Sequence, residues 1–298
     1  MRTKNAILLI LLGCLVLGFM PTLVRAQENP ATSEDDFTSV MADEKIGNTE
    51  ILVIQDRTPW GYDAISAALD EMGKADDYDV INSASLSTCD LSKYKIVILA
   101  SCQLYTTYGN INTNIAKLDA FVSSGGVYIC HACACLYIGE WYDCQIMPGM
   151  PAGAYVHAGA QSNAIDVVTP ENPVIDGPYG ELLDPYFDGW EYSTHGYFTY
   201  IPTGAIIVME TGGEPTYMDY NYGCGKVLTT MQTVEWGWSG VISWVGDYRK
   251  EFLKNEIAYA QVFQGCLGAP LFSDILAILP LGIVAGTMVI RRRRKLNP

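Results

Sequence analysis

The chain has 298 residues, 49% of them hydrophobic and 17% charged, with a formal net charge of −15. That apolar share, with 19 Tyr, 8 Phe and 6 Trp, excludes disorder over most of the length and is enough for the core of a large domain. The 33 acidic residues against 18 basic ones repel phosphates and exclude nucleic acid as the expected partner.

The chain opens on Arg2 and Lys4, an apolar stretch from Ala6 to Met20, and a small-residue site at Val24-Arg25-Ala26. This is the layout of a secretory signal over residues 1–26. An uncleaved anchor is the other reading; the lipoprotein-like Leu11-Leu12-Gly13-Cys14 is set aside, since cleavage there leaves an apolar mature end. Residues 27–48 are acidic and aperiodic, a flexible leader.

Glu50 to Gln55 is a short apolar run that predicts a buried strand. Ile65, Leu69 and Met72 then recur at helical spacing within Tyr62 to Met72. Further strands are predicted at Tyr78–Ile81, Lys95–Ala100 and Val127–Cys130, with a helix at Ile115–Val122 between the last two. The second half is richer in strand, at Ala164–Val168, Ala205–Met209, Thr216–Tyr220 and Lys226–Met231, with Gly212-Gly213 as a turn. It ends in a helix at Trp244–Phe263. Apolar strands alternating with amphipathic helices imply one α/β domain over residues 49–266, a parallel sheet with helices on both faces.

Leu267 to Ile290 carries a single charge, Asp274, and is followed at once by Arg291-Arg292-Arg293-Arg294-Lys295. At 1.5 Å per residue it would span about 36 Å, enough for a bilayer core, and the basic residues 291–298 would lie in the cytoplasm. The same layout resembles sorting signals that are exchanged for a lipid on some prokaryotic surface proteins. The expected location is therefore the cell membrane, with a single C-terminal span and the body outside. Residues 27–273 hold ten basic and 32 acidic side chains, a net −22.

Chemistry concentrates at Gly125-Gly126-Val127-Tyr128-Ile129-Cys130-His131-Ala132-Cys133. A cysteine where a strand gives way to a helix would project from the carboxyl edge of the sheet, where a helix N-terminus lowers a thiol pKa. His131 is a neighbouring base or ion-pair partner. The segment Tyr128 to Cys133 resembles the Ala-Ile-Cys-His-Gly-Pro elbow of the intracellular-protease-like branch of the class I glutamine amidotransferase-like superfamily. That resemblance implies a flavodoxin-like fold and an acidic residue near the first helix, Asp63 or alternatively Asp56, supporting the nucleophile.

Lys226 to Glu235 is similar to the late strand of true amidotransferases, which ends in Phe-His-Pro-Glu. Glu235 matches its glutamate, and Thr233 stands where its catalytic histidine would be. Tyr222 to Lys226 resembles the glycine-rich turn before that strand. The resemblance covers residues 50–240 by element order, with specificity in the two short motifs. Without a histidine at Thr233 the glutaminase triad is incomplete, and Ala132 and Cys133 replace the elbow glycine and proline. His195 could supply the missing base in space; of the three histidines, His157 and His195 otherwise read as hydrogen-bonded loop residues.

Eight cysteines follow the signal: Cys89, Cys102, Cys130, Cys133, Cys135, Cys144, Cys224 and Cys266. In an exported chain they read as a disulfide set, with about 105 full pairings. A metal site built from Cys130, His131, Cys133, Cys135, Cys144 and His157 is the competing reading, although the spacing is not that of a zinc ribbon. The aromatics of Tyr186–Tyr200 with Trp236, Trp238 and Trp244 read as packing, or as carbohydrate contacts on a surface protein.

Two functions of different classes are expected. One is a surface binding or structural module with a degenerate site, taking a small-molecule, peptide or glycan ligand and no cofactor or metal. The other is a cysteine-dependent hydrolase, with Cys130 as nucleophile, His131 or His195 as base, and Asp63 or Glu235 orienting it.

Overall fold

The computed structural model describes residues 49–133, 144–151, 157–162, 164–187, 193–239 and 243–268. Its strands are β1 (Ile51–Ile54), β2 (Tyr78–Ile81), β3 (Ile96–Leu99), β4 (Val127–His131), β5 (His157–Ser162), β6 (Asp166–Val167), β7 (Asp176–Gly177), β8 (Gly180–Glu181), β9 (Thr194–Tyr197), β10 (Ile206–Thr211), β11 (Glu214–Tyr222) and β12 (Gly225–Thr230). The helices are α1 (Ala64–Glu71), α2 (Tyr105–Thr113), α3 (Ile115–Ser123) and α4 (Ser243–Val262).

Eight strands form one sheet in the order β2-β1-β3-β4-β12-β11-β10-β6. The first five are mutually parallel, in the order of a flavodoxin-like sheet. All residues of β1 to β4 are buried, as continuous apolar runs require when both faces are covered. On one face Val53, Ile98, Val127 and Ile129 pack with Ile65 and Leu69 of α1 and Phe252, Leu253 and Ile257 of α4. On the other, Leu52, Val97, Tyr128 and Cys130 pack with Tyr108 and Ile111 of α2 and Leu118 and Val122 of α3.

The all-parallel expectation needs correction. β11, β10 and β6 extend the sheet antiparallel. The cause is in the connections: Gly212-Gly213, with φ of +58° and +89°, joins β10 to β11, and Gly223-Cys224 joins β11 to β12. Two-residue links close hairpins, whereas parallel neighbours need a crossover of a dozen residues or more. β5 and β9 pair separately, antiparallel, as do β7 and β8.

The expected helices and strands elsewhere fall within a few residues of their sites, and α2, β5, β7, β8 and β9 are additions. Among the described residues no helix is long and apolar enough to cross a membrane. The signal segment, the leader and the apolar stretch beyond Gly268 lie outside the described residues.

A complete disulfide set is also corrected. Cys224 is bonded to Cys266 (Cα–Cα 4.9 Å) and Cys102 is disulfide-bonded, while Cys89 and Cys130 carry free thiols.

Candidate functional site

The carboxyl ends of β3, β4 and β12, with α4, converge on a buried cluster of charges. Period-two alternation along β4 decides its membership. Val127 and Ile129 face the α1/α4 side, Tyr128 and Cys130 face the α2/α3 side, and His131 therefore returns to the α1/α4 side. Cys130 is not at an elbow but inside the strand, paired with Leu99 and Thr229. Burial raises its thiol pKa to about 12, opposed by hydrogen bonds with Thr229 and Tyr128. Adjacent in sequence, Cys130 and His131 are on opposite faces of the sheet and cannot act as a nucleophile–base pair.

His131 is fully buried between two carboxylates. Its Nδ1 lies 2.7 Å from Glu235 Oε1 and its Nε2 lies 2.8 Å from Glu256 Oε2. Both carboxylates are further occupied: Glu235 accepts from the Ser101 backbone N (2.9 Å) and Oγ (2.7 Å), and Glu256 accepts from the Tyr217 hydroxyl (2.9 Å). Burial pushes the imidazole pKa down, but Glu235 and then Glu256 outweigh it and hold His131 at about 10. Glu235 is driven up by burial and more strongly down by His131 and Ser101, and ends below the usual carboxylate range.

A second cation is close by. Arg249 of α4, 1% exposed, donates from Nη2 to Ser193 Oγ at 2.7 Å and lies 5.7 Å from the Phe187 ring centre. Burial lowers its pKa to about 10, against the attraction of Cys133 and Glu235. Two cations and two carboxylates make the cluster neutral, which is how an acidic chain can bury them. Cys133, just past β4, is buried too, and burial lifts its thiol pKa well above the ordinary value.

Of the site residues expected from sequence, the structure brings His131 and Glu235 into direct contact. Asp63 is the N-cap of α1 rather than a residue of it, is exposed, and accepts from Gln55 Nε2 at 3.5 Å. The alternative, Asp56, accepts from Ser83 N (2.5 Å), Ser83 Oγ (2.6 Å) and Thr107 Oγ1 (2.5 Å), which ties the β1, β2 and β3 exits together. His195 lies on β9 with its ring 6.2 Å from Trp60, edge to face. Thr233 is buried against the Ser193 backbone.

Above the cluster is a rim of partly exposed rings. Trp60, on the loop after β1, meets Trp236, on the loop after β12, at 6.2 Å, and Tyr62 meets Trp236 at 6.3 Å. Trp60 is held at φ +48° and is followed by Gly61 at +83°; Cys102, after β3, is at +56°. A bulky residue rarely adopts that region unless its surroundings impose it.

Sequence reasoning did not single out Glu256, Arg249, Ser101, Tyr217 or Trp60. For the two on α4 a signal existed: Arg249, Phe252, Leu253, Glu256, Ile257 and Ala260 form one buried helical stripe, so two charges interrupt an apolar face. Among the described residues no group of three or more His, Cys, Asp or Glu side chains is placed to hold a metal ion.

Fold and site together define a mixed α/β protein with a neutral, hydrogen-bonded charge cluster at the carboxyl edge of its sheet. The chain is 27% identical to an uncharacterised protein of Clostridium acetobutylicum over 231 residues, 76% of this chain but only 22% of that relative. It thus spans about a fifth of that relative's length. Its structure is similar to a cytoplasmic protein from Salmonella typhimurium LT2 (13% identity, 72% of this chain and 100% of that one, TM-score 0.48). It is also similar to a glutamine amidotransferase from Thermotoga maritima (12% identity, 72% of this chain and 99% of that one, TM-score 0.40). No family model matches the chain.

Proposed function

We propose that the chain is an exported, membrane-anchored domain whose glutamine amidotransferase-like body binds a ligand at the carboxyl edge of its sheet without turning it over. One observation carries this reading. Both ring nitrogens of His131 are held by carboxylates, while the Cys130 thiol is buried on the other face of the sheet. A general base needs a free lone pair near neutral pH, and a nucleophilic thiol needs access and a lowered pKa. Neither group has them.

The anchored, outward-facing arrangement is supported by the signal-like residues 1–26, the apolar stretch 267–290 and the basic residues after it. A disulfide between Cys224 and Cys266 suits an oxidising compartment.

The test is a thiol probe on the native full-length chain, read by mass spectrometry, beside turnover of an amide and ester library. The expected result is that Cys130 is labelled only after denaturation and that no turnover depends on it. Turnover abolished by Cys130→Ser would overturn the reading in favour of the cysteine hydrolase.

A further inference from the structure

We propose that the aromatic rim formed by Trp60, Tyr62, His195 and Trp236, with Asp63 beside it, is a binding surface for a neutral carbohydrate. This rests on the reading that the carboxyl edge binds rather than turns over its ligand, and names the ligand's class.

The rim stands where open α/β sheets take their ligands, at loops leaving the carboxyl ends of strands. Its rings brace one another: Trp60 against His195 at 89°, Trp60 against Trp236 at 73°, and Tyr62 against Trp236 at 78°. All four side chains remain partly exposed. Centroid spacings of 6.2 to 6.3 Å mean that these rings touch each other rather than surround a gap. Meeting edge to face, they make a stepped platform on which each ring offers its own face, not a cage. A platform suits the flat apolar face of a sugar ring, whereas a cation is best held by rings set around it.

The platform is rigidly founded. Trp236 follows Glu235, whose carboxylate is fixed by Ser101 and His131, and Trp60 is pinned in a left-handed conformation. Little ordering would be needed on binding, which favours affinity.

The polar groups beside it are acceptors. Asp63 is an exposed carboxylate, and the Gln55 amide that donates to it is 1% exposed, with its Oε1 buried and without a partner. Flipping that amide would set its oxygen against the Asp63 carboxylate, so the unsatisfied atom is the acceptor. The acceptor that a ligand hydroxyl can reach is the exposed Asp63 carboxylate. Arg57, the cation of the same loop, is committed to the Cys102 carbonyl at 2.7 Å. With a net −22 over residues 27–273, phosphates and other anions are disfavoured.

The experiment is titration of the purified full-length chain, by tryptophan fluorescence and calorimetry. The probes are cellohexaose, xylohexaose, mannohexaose and N-acetylchitohexaose, with tetramethylammonium and polyphosphate as other arms. Three variants accompany it. Trp236→Ala removes one platform ring. Trp60→Gly removes another while relieving its positive φ. Asp63→Asn removes charge at a residue whose side chain makes no capping bond.

The expected result is saturable binding of at least one neutral oligosaccharide, insensitive to salt. Each tryptophan variant should weaken it about tenfold or more, and Asp63→Asn should weaken it with the melting temperature unchanged. Failure of all four sugars, unaltered binding in both tryptophan variants, or saturable binding of only tetramethylammonium or polyphosphate would each overturn the proposal. If none of the sugars binds and no turnover is seen, only the ligand class falls. Release of shortened sugars would instead sink the non-catalytic reading.

Discussion

Burial alone would strip the proton from His131, yet Glu235 and Glu256 hold it on the ring up to about pH 10. The sign of the consequence follows by linkage. A pKa raised above its unfolded value of 6.5 stabilises the fold fully below pH 6.5, and that stability is lost as pH rises toward 10. Glu235, lowered from 4.5, contributes stability above pH 4.5 that is lost in acid. Stability should therefore be greatest between about pH 4.5 and 6.5 and fall on the alkaline side. His131→Gln leaves two buried carboxylates without their shared cation and should cost about 3–5 kcal/mol. It should also move the pH window: the remaining like charges favour protonation, so the variant gains stability as pH falls from 6.5 to 5, where the wild-type protein is at its plateau, and loses the wild-type fall between pH 6.5 and 10. Urea melts of both proteins across pH 5 to 10 would check this, and a variant with the wild-type slope would contradict it.

At the level of elements, β4 and β12 lie side by side because their first residues approach closely. A Cβ on Gly225 would sit 1.9 Å from the Val122 carbonyl and 2.3 Å from that of Gly126, both backbone atoms with nowhere to go. Gly225→Ala should thus destabilise by about 1–3 kcal/mol, the range of overpacked cores, measurable as a lower denaturant midpoint. The parallel core was legible in the sequence because Ile51–Ile54, Ile96–Leu99 and Val127–His131 are apolar runs that only a doubly covered sheet accommodates. Helix α2 was hidden: Tyr105–Thr113 carries Gly109, three Thr and two Asn, and its burial rests on Thr107, Tyr108 and Ile111. The antiparallel half was available in the two-residue spacings at 212–213 and 223–224, which outrank apolar pattern in setting strand direction. The site divided similarly. His131 and Glu235 stand out by residue type and motif, but the face each side chain takes depends on strand register. Cys130 seemed poised at an elbow because one further residue of strand, His131, is not visible in composition.

For the molecule as a whole, the long-range tie is the bond from Cys224, in the turn entering β12, to Cys266, after α4; it closes a loop of 42 residues. Its removal should cost about 4 kcal/mol at most by loop closure, seen as a lower melting temperature for Cys266→Ser. A mechanical consequence follows as well. Tension applied to the chain beyond residue 268 enters the fold at Cys266 and crosses the disulfide to β12, a strand flanked on both sides in the eight-stranded sheet. The load bypasses α4, and the chain between the two cysteines is withheld from extension. At about 3.5 Å per residue, those 42 residues amount to about 150 Å of concealed length. Pulled between residue 49 and residue 268 in a single-molecule experiment, the oxidised protein should lengthen by that much less than the reduced one. The bond acts as a shackle that makes the sheet, not the helix, bear the strain.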